Sequence, residues 1–330
     1  MKLSNTEKLV TVIIPSKTFD SNLKFCITKI RKYYKNISII LLLDKVIKIK
    51  KIKKIKIIQT GKKTIGFKRN LGVKLSNTPF VSFIDSDAYP NNRWLDFILS
   101  SFKKNKNVGV IGGPNVSPET KEIERKLVAK VRKFFFVTFD NRVKFISDAD
   151  HLVKFLPSVN FVMKKKDYLK LGGMNEIVNT GEDIIFMNAL NKKKYKMLLN
   201  GRAYVFHKDR DFKNYFRQRI VYGSNILKNF FLSPSFSLFL MCLSILPFLY
   251  LLLFPLVILS NYLILKFYLS ILVLMGLFIL YYCLKIYEKN TFFKSLKVVF
   301  ISVFGPGLGF TISLIKSDKY LRKIYTQEKK

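Results

Sequence analysis

The apolar run Phe80-Val81-Ser82-Phe83-Ile84 ends in Asp85-Ser86-Asp87. Such a run is expected to form a buried strand, and two carboxylates one residue apart at its end converge on one spot. Together they can hold a divalent cation, Mg2+ or Mn2+, that neutralises a diphosphate leaving group. Asp and Ser are also favoured in turns, so the triplet by itself does not decide between a cation site and a loop. Farther on, Gly181-Glu182-Asp183 opens a helical stretch running to Asn191. Acids there are favoured by the helix dipole and its unpaired N–H groups, so helix capping alone would account for them.

Short Ile- and Val-rich runs recur upstream and downstream, over 9–15, 37–43, 55–59, 80–84 and 108–112. Helical stretches fall between them, at 22–34 and 68–76, and at 94–104 after the Pro90 turn. The alternation predicts an α/β fold with a mostly parallel central sheet and helices packed on it. Ligands of such sheets bind at the carboxyl ends of the strands, which is where Asp85 and Asp87 fall.

The charge is uneven. Residues 1–235 carry 48 Lys+Arg against 18 Asp+Glu, and residues 236–330 carry 11 against 3, within a net charge of +38. Clustered Lys and Arg suit nucleic acid, but here the lysines sit in Ile/Lys/Asn-rich stretches such as 45–56 that a compositional bias produces. Attraction to anionic lipid headgroups is the expected use of the excess, and no nucleic-acid partner is expected. Cys26, Cys242 and Cys283 lie far apart and offer no metal or disulfide framework.

Residues 236–260 are apolar and uncharged, and 262–284 carry only Lys266. Each is long enough to cross the hydrocarbon at about 1.5 Å per residue, and together they predict a transmembrane hairpin over 236–284, kinked at Pro247 and Pro255. A third apolar stretch, 292–315, is shortened by Lys294 and Lys297 and interrupted by Gly305-Pro306-Gly307-Leu308-Gly309. The tail beyond it carries Lys316, Lys319, Arg322, Lys323, Lys329 and Lys330, which the positive-inside tendency keeps in the cytoplasm. The segment 292–330 is therefore expected to be re-entrant or interfacial in preference to spanning. Residues 1–9 lack the apolar core of a signal peptide, so the domain over 1–232 is expected on the cytoplasmic face of a multi-pass membrane protein.

The order of several motifs resembles family-2 glycosyltransferases: VTVIIPSKT at 10–18, Lys68-Arg69-Asn70-Leu71-Gly72, and the Asp-x-Asp. Downstream, Pro157-Ser158-Val159-Asn160-Phe161-Val162-Met163 looks like that family's acceptor-side strand. Leu171-Gly172-Gly173-Met174-Asn175-Glu176 is similar to its Gly-Gly-Phe-Asp-Glu turn. The resemblance spans about residues 8–225 and implies the GT-A fold, a Rossmann-like domain that binds a sugar nucleotide. Carried onto this chain, it implies nucleotide-sugar contacts from Pro15, Ser16, Thr18, Asp44, Lys68, Arg69, Asp85, Ser86 and Asp87. It implies a metal held by Asp87 and Asp85 with His207, and Asp183 as the general base of an inverting displacement. Asn160, Glu182, Arg217, Gln218 and Arg219 fall on the acceptor side.

Two departures stand out. The Q-x-x-R-W region of membrane synthases survives only as Gln218, with Val221 and Tyr222 in place of Arg and Trp, which argues against processive polymer synthesis. Where the family often has paired aspartates after the second strand, Asp44 stands alone. The expected function is transfer of a sugar from a nucleoside-diphosphate donor to a membrane-proximal acceptor, a lipid-linked saccharide or a lipid, in glycan or cell-envelope polysaccharide synthesis. A processive synthase would need more spans, and a non-catalytic membrane adaptor would have eroded acids.

Overall fold

The computed structural model describes residues 3–45, 52–134 and 141–316. The tail positions Lys319, Arg322, Lys323, Lys329 and Lys330 lie outside the described residues. The chain divides into two compact units, Met1–Pro118 with Thr138–Lys208, and Glu119–Val137 with Asp209–Lys330.

In chain order, the first unit contains α1 (Leu3–Leu9), β1 (Val10–Ser16), α2 (Ser21–Tyr33), β2 (Ser38–Leu43), β3 (Ile55–Gln59), α3 (Ile65–Leu75), β4 (Phe80–Ile84), β5 (Ala88–Pro90), α4 (Trp94–Lys104), β6 (Val108–Gly112) and β7 (Asn115–Val116). The chain then contributes α5 (Ile123–Phe134) to the second unit. It returns for β8 (Asp150–Val153), β9 (Asn160–Lys164), α6 (Lys165–Lys170), α7 (Glu182–Lys192), β10 (Lys196–Asn200) and β11 (Val205–His207).

The main sheet has the order β3-β2-β1-β4-β9-β6-β10-β8. Six strands point one way, while β9 is antiparallel to β4 and β6, and β8 is antiparallel to β10. Because successive side chains face opposite sides of a strand, the apolar runs feed two cores. Val10, Val12, Ile14, Ile39 and Leu41 meet Leu23 and Ile30 of α2 and Leu95 and Ile98 of α4. On the other face Ile13, Ile40, Leu42, Phe83 and Phe161 meet Val73 of α3 and Phe186 of α7. Caps set the helix starts. The Asp20 side chain accepts from Leu23 N at 2.9 Å and the Thr64 hydroxyl from Phe67 N at 3.3 Å.

Helix α3 packs so closely that a Cβ added to Gly72 would lie 2.5 Å from Ile13 Cγ2. One added to Gly66 would lie 2.1 Å from the Asn175 carbonyl oxygen. A small second sheet, β5-β11-β7, pairs Ala88 with His207 and Tyr89 with Phe206. Strand β5 starts directly after Asp87, and β11 ends on His207.

The second unit holds α5, α8 (Phe212–Leu232), the short helices α9 (Phe236–Cys242), α10 (Leu246–Leu252) and α11 (Phe254–Val257), then α12 (Tyr262–Ile286) and α13 (Phe292–Ile315). Pro247 and Pro255 occupy the first turns of α10 and α11, where a missing N–H costs no helical bond, so the apolar stretch from Phe236 is a run of short pieces. Helices α12 and α13 are long and apolar enough to cross a membrane, by length and composition. They differ in packing: the most apolar window of α12 is 11% buried, that of α13 44%.

The Gly305–Gly309 stretch is helical, its small residues admitting the α8 backbone. A Cβ on Gly309 would lie 2.1 Å from the Ile220 carbonyl oxygen, and Tyr215 of α8 meets Ser302 of α13 at 3.0 Å between their hydroxyl oxygens. The turn between α12 and α13 is tied to α5 by Glu288, paired with Lys126 at 2.6 Å and Lys130 at 2.8 Å. Hydrogen bonds from those two lysines pull the Glu288 pKa below the usual carboxylate range.

Candidate active site

Three strand ends and one helix start assemble the acids of the first unit. At the ends of β1 and β2, Lys68 Nζ donates to the Ser16 carbonyl at 2.6 Å and pairs with Asp44 at 2.5 Å. Pro15, Ser16 and Lys68 are buried, Asp44 half-buried and Thr18 exposed, so this end offers a solvent-facing rim over a fixed cation. Lys68 therefore reaches Asp44 from beneath, and the lone acid after the second strand has a partner from α3.

At the end of β4, Asp85 and Asp87 lie with His207, one ligand atom from each within 4.8 Å of the others. His207 Nε2 is 3.3 Å from Asp87 Oδ1, yet it is buried and makes no hydrogen bond. A buried ring nitrogen aimed at a carboxylate without bonding it has the disposition of a metal ligand. The other ring nitrogen, Nδ1, faces the Asn115 side-chain amide at 3.4 Å. The group facing Nδ1 is the amide nitrogen, while Asn115 Oδ1 is buried without a partner; turning that amide over would satisfy the oxygen with an Nδ1 proton and free the Nε2 lone pair for a cation. Two carboxylates and an imidazole fit a divalent cation. Ser86 is buried in the turn between the two acids, and the Cys26 thiol lies beneath it, 3.9 Å from the Asp85 carbonyl oxygen. Burial, with the charges of Asp87 and Asp85, pushes that thiol far up, so it stays neutral.

Arg69 joins the cation site to the start of α7. It is 1% exposed and donates from Nη2 to Asp85 Oδ1 at 2.8 Å and from Nη1 to Glu182 Oε1 at 2.6 Å. Burial alone would lower the Arg69 pKa, but Asp85, Glu182 and Asp183 overcome it and raise it above the ordinary arginine value. One cation thus serves three acids. Burial first, and then the neighbouring Asp183, push Glu182 up to about 7 against the pull of Arg69, which Glu182 must share with Asp85.

A carboxyl held above its ordinary value of 4.5 favours the folded state most when protonated. The advantage is complete below about pH 4.5 and is lost as pH rises through about 7. Thermal melts across this window should show the parent losing ground steadily to Glu182→Gln, whose side chain does not titrate. A gap that stays constant with pH would contradict this assignment.

Asp183 is half-buried at the first turn of α7. Its Oδ2 accepts from the Ser158 hydroxyl at 3.2 Å and the Ser158 N–H at 3.4 Å, and its Oδ1 from Ile184 N at 2.9 Å. The carboxylate is held in orientation yet remains reachable. Asn160 is fully buried and bonds inward, accepting from Trp94 Nε1 at 2.7 Å and donating to the carbonyls of Ala203 and Pro114. Its position is that of a brace under the site. Arg217, Gln218 and Arg219 belong to α8 of the second unit.

Asn70 is the residue whose part is not apparent from the motif alone. Its amide donates to the Met174 carbonyl and to Glu176 Oε1, both at 2.8 Å, and its oxygen accepts from Met174 N and the Tyr168 hydroxyl. The Lys68–Gly72 helix and the Gly172–Glu176 turn are therefore one interlocked piece. Gly173, at φ +78°, is where the turn passes 2.5 Å from Asn70 Oδ1 at its Cβ position. The signal was present as two motifs, but their separation of 104 residues hid the contact.

Among solved structures, the chain is similar to GalNAc-T7 with UDP, GalNAc and Mn2+, at 13% identity and a TM-score of 0.47, covering 66% of this chain and 50% of that one. It is also similar to S. aureus TarS 1-349, at 13% identity and a TM-score of 0.46, covering 66% and 65%. The same protein in complex with UDP-GlcNAc gives 15% identity and a TM-score of 0.45, covering 66% of each. The chain thus spans about half the length of the GalNAc-T7 chain and about two-thirds of TarS 1-349. No match is found among curated proteins. Residues 80–284, from the strand that leads into the Asp-x-Asp to the last turn of the apolar α12, match the model of glycosyl transferase family group 2. The chain belongs to that family, and it joins a mixed α/β domain built on a central sheet to two C-terminal apolar helices.

Proposed function

We propose that this enzyme moves one sugar from a nucleoside-diphosphate donor to a membrane-proximal acceptor, a lipid-linked saccharide or a lipid, with inversion at the anomeric carbon. The observation that carries the reading is Arg69, which binds the acid of the cation site and the start of the helix bearing Asp183 into one network. The donor nucleotide lies over the rim formed by Ser16, Thr18 and Asp44. Asp85, Asp87 and His207 would hold Mg2+ or Mn2+, which when bound neutralises the diphosphate charge. Asp183 takes the proton of the acceptor hydroxyl as that oxygen attacks the anomeric carbon and the carbon–oxygen bond to the diphosphate breaks. Ser158, by donating to Oδ2 of Asp183, keeps the carboxylate aimed during that transfer.

The membrane part follows from α12, whose side chains are largely exposed and apolar. In this reading 236–284 forms a hairpin in the bilayer, α13 is re-entrant or lies at the membrane surface, and the catalytic domain occupies the cytoplasmic face.

The test is turnover by the full chain in detergent, with a panel of nucleotide sugars, a membrane-lipid extract and Mn2+. The expected result is release of a nucleoside diphosphate that needs both metal and extract, with a product of inverted anomeric configuration. Binding of nucleotide sugars without release in any combination would defeat the reading.

A further inference from the structure

The packing of α8 on α13 in the second unit buries a cation that has no counter-charge among the described residues. Arg219 is 7% exposed, and among the described residues no carboxylate forms an ion pair with it. Every other strongly buried arginine or lysine of a site described above, Arg69 and Lys68, reaches at least one acid.

What surrounds Arg219 is polar but neutral. Its guanidinium lies 5.1 Å from the Tyr215 ring centroid and 4.7 Å from that of Tyr222. Nη2 donates to Gln218 Oε1 at 3.3 Å, Gln218 Nε2 faces the Tyr222 hydroxyl at 3.3 Å, and Nε is buried without a partner. Gly305 of α13 leaves room for the stem, since a Cβ there would lie 2.7 Å from Arg219 Cβ. Two aromatic faces and one amide offset only part of the cost of desolvating a guanidinium, and a buried charge left without a counter-ion is strongly destabilising. A side chain kept in that state points to an anion supplied from outside the chain.

We propose that Arg219, with Gln218 and Tyr222, is a binding site for the phosphate group of a membrane amphiphile. The guanidinium fork matches phosphate oxygens two at a time, and a phosphate brings the missing charge. The amphiphile is indicated by what stands beside the site. Phe216 and Tyr222, three residues to either side of Arg219 on α8 and so next to it on the helix surface, are both exposed. Farther along, Phe231 and Phe236 are largely exposed, a surface suited to an alkyl chain and not to a free ion. Under the transferase reading this site would grip the acceptor's phosphate, and in that respect it rests on that reading. The binding is measured without donor or turnover, so either can fail alone.

The experiment follows thermal unfolding of the full chain in detergent with three probes: dihexanoyl phosphatidic acid, inorganic phosphate and dihexanoylglycerol. The expected result is a saturable rise in Tm with phosphatidic acid and none with dihexanoylglycerol. Arg219→Met should weaken that binding by roughly tenfold or more, with Arg219→Lys retaining part of it. Without a probe, Arg219→Met should melt at or above the parent, because it removes the uncompensated cation. If Arg219→Met melts well below the parent and still binds phosphatidic acid as the parent does, Arg219 is a structural clamp between tyrosines and the proposal is overturned. A full rise in Tm with inorganic phosphate alone overturns the assignment to an amphiphile.

Discussion

Asp183→Asn should lower sugar transfer by roughly 10²- to 10⁴-fold, the range that loss of a general base produces, while donor binding changes little. Asparagine keeps the shape and an oxygen to accept from Ser158, but it takes no proton. The variant should fold, because Arg69 retains its direct partners Asp85 and Glu182. Removing one negative charge also relieves the crowding that helps hold Glu182 above its ordinary range. The loss should therefore fall on kcat, with the nucleotide Kd near that of the parent. Turnover within tenfold of the parent would remove Asp183 from the mechanism and direct attention to another acid.

Asp87→Ala is expected to be nearly as severe, with turnover down on the order of 10³-fold, but for a different reason and with a different signature. It deletes one of the three proposed ligands and leaves His207 Nε2 facing an emptied place, while Arg69 continues to hold Asp85. Metal affinity should fall together with activity. A Mn2+ titration followed by electron paramagnetic resonance should show tight binding in the parent and weak binding in the variant. His207→Ala should give a smaller loss in the same direction. Unchanged Mn2+ binding in Asp87→Ala would show that the three side chains do not form a cation site.

The parts of this protein that could be read from its sequence are those in which chemistry and local pattern coincide. The strand runs at 80–84 and 108–112 are found where their Ile and Val residues place them, since a strand buried on both faces leaves a continuous apolar run, and the half-buried edge strand at 55–59 is marked by its isoleucines around Lys56. The reversal of β9 was not legible, because the same residues make a buried strand in either direction. The acids were visible as motifs. Their sharing of Arg69 was not, since an arginine in a Lys-Arg-Asn segment reads equally well as a phosphate contact, and only its near-complete burial marks it as internal. Likewise Gly305–Gly309 has the composition of a break. Small residues serve both breaks and close helix packing, and only the approach of α8 decides between them.

The pairing of Ala88 with His207 has a consequence for how the protein tolerates change in length. Alternate residues of a strand face opposite ways, so a slip of one residue in β11 would exchange His207 for Phe206 at the acids. A single insertion or deletion in the short link from β10 to β11 that is carried into the strand is thus more damaging than most substitutions there, because it brings Phe206 or Lys208, respectively, to the place of the imidazole. The identity of the proposed third ligand is stored in a backbone register, and the length of the preceding loop is as much a part of that site as the histidine.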